Sequence, residues 1–135
     1  MRNKMRSIVI ILMLAVTVLF SGCKKEEKIR DLDFTVVAEE CIPKELLAEI
    51  ETKKAQDFHL SFRDGNYLYM CVGYGAQKTG GYSICVKDLY LTDSSIVLDT
   101  TLLGPKYSDE KKVMEESYPY IVIKTEYIDA LVIFS

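Results

Sequence analysis

Few residues of this chain have types that could do chemistry. His59 is the single histidine among 135 residues. It stands between Asp57 and Ser61, so acid, base and hydroxyl types alternate along one short segment. A Ser-His-Asp triad needs its base within about 3 Å of the nucleophile and an acid behind the base. Residues two apart on a strand project in parallel and do not converge. The spacing therefore predicts a polar strand face. Four cysteines, Cys23, Cys41, Cys71 and Cys85, lack the close paired spacing of a zinc site, and the histidine stands alone. Gly73-Tyr74-Gly75 is not followed by a helix start, so it lacks the setting in which glycines cradle a phosphate. The expectation is a chain that is not an enzyme and holds no metal or cofactor.

Charge narrows the class further. The whole chain carries 17 basic and 20 acidic side chains. Residues 1–22 contain three basic groups, Arg2, Lys4 and Arg6, and no acid. Without them, 14 basic groups face 20 acidic ones, a net −6. A non-specific nucleic-acid binder needs a basic face, so none is expected here.

Those first residues look like a targeting device. A short basic start precedes an apolar run over 8–20 interrupted only by Thr17. The run is shorter than the ~20 residues a spanning helix needs, so it predicts a secretory signal rather than a transmembrane anchor. Leu19-Phe20-Ser21-Gly22-Cys23 resembles the lipobox of bacterial lipoproteins, with Phe20 departing from the usual Leu. That likeness implies a signal peptide over 1–22 and lipidation of Cys23. Each buried CH₂ of the acyl chains adds ~0.8 kcal/mol, so two or three chains hold a protein on a membrane. The predicted location is the extracytoplasmic face of the bacterial cell membrane. Residues 23–33, with seven of the eight positions after Cys23 charged, read as the lipidated cysteine and a solvated tether.

The rest, 34–135, is long enough for one domain. A short strand is expected at 34–37. An amphipathic helix follows over 43–54, with Pro43 in its first turn and Leu46, Leu47 and Ile50 as its apolar stripe. Period-two patterns then predict strands at 58–63, 67–74, 82–91, 96–103, 120–125 and 131–134. Asp64-Gly65-Asn66 marks a hairpin turn. The fold class is α+β: an antiparallel sheet, as a meander or a small barrel- or sandwich-like body, with one helix packed on it.

The parity of the central strands suggests a register. Pairing Val72 with Ile84 sets Met70 against Val86 and Tyr74 against Tyr82, an apolar row facing the core. The same register puts Cys71 opposite Cys85. Outside the cytoplasm that pair is a candidate disulfide; small buried thiols are the alternative.

The segment 67–86, YLYMCVGYGAQKTGGYSICV, with Phe62-Arg63-Asp64-Gly65 before it, Gly104-Pro105 and Tyr118-Pro119-Tyr120-Ile121-Val122-Ile123-Lys124-Thr125 after it, resembles the C-terminal domain of the protease complex subunit PrcB family. The resemblance runs over roughly 58–134. It implies a non-catalytic accessory or protein-binding domain, possible partner proteases being secreted or surface-bound. The candidate partner-binding residues are Lys78, Thr79, Gly80, Gly81 and Tyr82, then Gly104 and Pro105, then Tyr118, Pro119 and Tyr120. The same three segments are locally similar to the binding loops of chagasin-type cysteine-protease inhibitors. A loop-mediated inhibitor and an unrelated ligand-binding surface lipoprotein are the alternative readings. For the glycines and tyrosines, turn formation and aromatic packing compete with binding as the explanation.

Overall fold

A computed structural model describes residues 26–106 and 115–135. The predicted signal segment 1–22 and Cys23 lie outside the described residues. In chain order the elements are β1 (Arg30–Asp31), β2 (Thr35–Val36), a 3-10 turn (Glu39–Cys41), α1 (Lys44–Lys53), β3 (Asp57–Asp64), β4 (Tyr67–Tyr74), β5 (Ser83–Leu91), β6 (Ser95–Leu103), β7 (Tyr120–Glu126) and β8 (Leu131–Phe134).

The strands form two four-stranded sheets. One has the order β1-β5-β6-β8 and the other β2-β7-β4-β3. All pairings are antiparallel except β6 with β8. The fold is α+β, and of the expected alternatives it is the sandwich that forms. Between the sheets lies one core, with Leu68, Met70 and Val72 of β4 and Ile123 of β7 against Leu89, Ile96 and Leu98. A bulge in β5 between Val86 and Asp88 shifts its parity, so Val86 and Leu89 both serve this core.

A second core lies on the other face of the β4/β7 sheet. Ile42, Leu46 and Ile50 pack there on Phe58, Tyr69, Cys71 and Val122. Burying a large apolar side chain contributes ~1.5–3 kcal/mol. The exposed Glu49–Lys53 pair, 3.9 Å apart, belongs to a class worth ~0.3–0.5 kcal/mol. Packing through Leu46 and Ile50 therefore holds α1 in place. Pro43 stands one residue before the helix, at its N-cap.

Three expectations are corrected. β4 does not pair with β5: its neighbours are β3 and β7, while β5 pairs with β1 and β6. The connection 75–82 is not a hairpin but a crossing from one sheet to the other. Consequently Cys71 and Cys85 cannot be cross-strand neighbours. Cys71 is buried under α1, Cys85 is exposed on the other sheet, and both are free. Finally, the fold begins before residue 34. Arg30 and Asp31 pair with Leu91 and Tyr90, and Leu32 is part of the inter-sheet core.

Candidate functional site

The sheet crossing that broke the predicted hairpin builds the candidate site. β4 ends at Tyr74 and β5 begins at Ser83, so the 75–82 loop spans one end of the sandwich. β6 ends at Leu103 and β7 begins at Tyr120 at that same end, because each is antiparallel to the strand that feeds or leaves the loop. Gly104, Pro105, Tyr118 and Pro119 are thereby delivered beside it.

Particular contacts tie the three segments together. Gln77 and Ser117 form an isolated two-way bridge, their N–H groups donating to each other's carbonyls at 2.8 and 2.9 Å. The Ser117 hydroxyl donates to the Thr79 carbonyl at 2.7 Å. The Tyr74 N–H donates to the Pro119 carbonyl at 3.1 Å. Gly81 has φ +87°, and a Cβ there would stand 3.0 Å from the Cβ of Pro105. Glycine is thus required twice at this position, for the left-handed backbone and for the close approach. Tyr82 borders Gly104 at ordinary contact distance, its ring 3.8 Å from where a Cβ would be. All ten candidate residues gather at one end of the molecule.

They are not equally available. Lys78, Gly81 and Gly104 are exposed, and Thr79, Gly80, Tyr82, Pro105 and Tyr118 to Tyr120 are half-buried. Tyr120 leans into the α1 core. Its burial, with Glu39 and Glu51 nearby, pushes the phenol above its ordinary range. Its ring therefore has a packing role. Tyr118 lies outside both cores and sits under the Lys54 ammonium, whose Nζ is 5.4 Å from the ring centroid. Lys54 in turn pairs with Glu51 at 2.8 Å, which raises its pKa. Sequence reasoning missed Lys54 at this end, because only the packing of α1 brings the helix C-terminus to the loops.

The triad-type residues stand elsewhere. Asp57 and His59 line an open cleft of about 320 Å³ between the two sheets, with Tyr74, Thr100, Phe134 and Ser135. The His59 ring stacks on Phe134, with centroids 4.7 Å apart. The hydroxyls of Tyr74 and Thr100 bond each other at 2.7 Å. Ser61 does not line the cleft. Among the described residues His59 makes no side-chain hydrogen bond, and no three His, Cys, Asp or Glu side chains gather as a metal site.

No curated protein and no solved structure matches the chain. Residues 68–126 do match a family model, that of the PrcB C-terminal domain. The matched stretch runs from β4 through β7 and contains all ten residues of the three-loop end. The chain is therefore similar, over the four central strands of its two sheets and the loops that join them, to the PrcB C-terminal family.

Proposed function

We propose that this protein is a lipid-anchored, non-catalytic accessory domain that engages an extracytoplasmic protease through its three-loop end. The observation that carries the reading is the convergence of 78–82, 104–105 and 118–120 on one surface, inside the segment matched to a family named for a protease complex. Such a surface offers a few aromatic anchors and exposed loop backbone, and interfaces draw most of their energy from a few side chains of that kind. Tyr118 is the best anchor, because it is half-buried yet belongs to neither core.

The test is a pull-down from solubilised membranes with the wild-type chain and Tyr118→Ala. Loss of a captured protease by at least ~1 kcal/mol of affinity is expected. The melting temperature of the variant should stay put. A variant that loses stability and binding together would make Tyr118 a packing residue only. A second reading, loop-mediated inhibition, draws on the same convergence of three separate segments. Hydrolysis by the captured protease separates the two: an inhibitor suppresses it on complex formation, an assembly subunit does not.

A further inference from the structure

The segment 26–33 is bound along its length to the end of the sandwich opposite the three loops. The Glu26 carboxylate accepts from the hydroxyls of Thr92 at 2.6 Å, Ser95 at 2.8 Å and Ser94. Thr92 and Ser94 stand in the β5–β6 turn and Ser95 opens β6. Two residues on, Lys28 bridges Asp31 at 2.7 Å and Asp88 at 3.0 Å, with its ammonium 5.0 Å above the Tyr90 ring. Ile29 N–H donates to the Leu91 carbonyl at 2.7 Å, β1 pairs with β5, and Leu32 enters the core.

We infer that 26–33 is a clasp that fixes which way the domain faces: with lipid on Cys23, it keeps the β5–β6 turn at the membrane and the three-loop end turned to the aqueous side. The inference rests on the anchored reading above and adds the direction. Its partner is a protease that approaches from solution or stands tall on the surface, not one whose docking site lies at bilayer level.

Simple lengths carry the point. Three Cα steps separate Cys23 from Glu26, at most about 11 Å. β5 runs the other way, from the loop end to the turn, and its nine residues span about 30 Å. A free ten-residue tether would have an end-to-end distance of about 16–19 Å. It would let either end meet the lipid. The clasp leaves three steps of that freedom.

The test uses the full chain reconstituted in phospholipid vesicles. In a Cys41→Ser, Cys85→Ser background, a fluorophore is placed at Asp93→Cys or at Lys78→Cys, and nitroxide-labelled headgroups serve as the short-range quencher. Quenching several-fold stronger at 93 than at 78 is expected, with the contrast shrinking in Glu26→Ala. Lysyl endopeptidase supplies an independent reading, since cleavage after Lys28 should be several-fold faster in Glu26→Ala than in wild type. Lys28→Ala, scored by quenching alone, loosens the clasp at its second point. Thr92 and Ser95 remain hydrogen-bonded to each other at 2.8 Å without Glu26, so the turn survives the substitution. Equal quenching at the two positions on bound vesicles overturns the orientation. Unchanged digestion in Glu26→Ala overturns the clasp. A chain that fails to float with vesicles overturns the anchoring, and the orientation with it, while digestion still reads the clasp.

Discussion

Cys71 and Gly73 lie on the α1-facing side of β4, and burial decides what each can do. Cys71 is fully buried, and burial pushes its thiol up to about 12. The reactive species of a cysteine is the thiolate, so this thiol is inert at neutral pH. Alkylation of the native protein with iodoacetamide should modify Cys41 and Cys85, which are exposed, and reach Cys71 only after denaturant is added. Peptide mass spectrometry reads the three sites separately, and labelling of Cys71 as fast as Cys85 would contradict the fold. Gly73 is constrained by the Phe58 ring, whose nearest carbon lies 2.0 Å from where a Cβ would stand. Phe58 is itself buried and its ring is rigid, so the clash cannot be relieved cheaply. Gly73→Ala should cost ~1–3 kcal/mol, the usual range for overpacking, and lower the melting temperature. Neither constraint was readable in the sequence. The alternation of β4 marked Met70 and Val72 as core correctly, but Tyr69, Cys71 and Gly73 looked like an outer face until α1 covered it.

At the scale of elements, the sequence carried strand positions far better than strand partners. The expected ranges for β4 and β8 coincide with the observed ones, and β5, β6 and β7 differ by one residue at an end. Periodicity is a local property and survives without knowledge of the neighbour. Pairing is not local. The 75–82 connection has glycine and polar residues suited to a hairpin loop, and nothing in it says that the chain changes sheets. β1 escaped notice because two residues inside a charged run have no period to detect; their strand character comes from β5. The Glu26 clasp escaped for the same reason. It has a pH signature. Hydrogen bonds from Ser94, Thr92 and Ser95 hold the Glu26 carboxyl below its ordinary 4.5, and Lys28, Asp31 and Asp88 pair with one another beside it. A depressed folded value means the clasp contributes fully above the unfolded value near 4.5, and the contribution is lost as pH falls through the lower folded value. Carbon NMR of the Glu26 carboxyl should give a midpoint below 4.5, with the Ser95 amide shift following it. A midpoint at the free value would mean that the hydroxyls do not hold the carboxylate.

The whole molecule has two unlike ends, and the order of the chain explains why. Strands β5 and β6 each cross the body once, so the turn between them and the segments outside them must lie about 30 Å apart. The sequence shows the N-terminal charged run and the three loops as separate features; only the topology sets them at opposite poles. The net charge of −6 over residues 23–135 adds a field around both. It favours a partner with a basic patch and gives an association rate that falls as salt rises. Lipid on Cys23 would act before Glu26, the first described residue that touches the fold, so removing it should leave folding alone. Cys23→Ala should abolish incorporation of a labelled fatty acid and change the cellular fate of the protein, either by releasing it from the membrane fraction or by leaving its signal segment uncleaved. The thermal melt of the purified variant should match wild type within error, because no described contact involves the substituted position. Fractionation, acyl labelling and an N-terminal mass together decide the matter. Intact acyl labelling in Cys23→Ala would refute the lipid assignment. A wild-type N-terminal mass showing an unmodified Cys23 would do the same, and would leave the sandwich with its clasp as a domain whose attachment lies elsewhere.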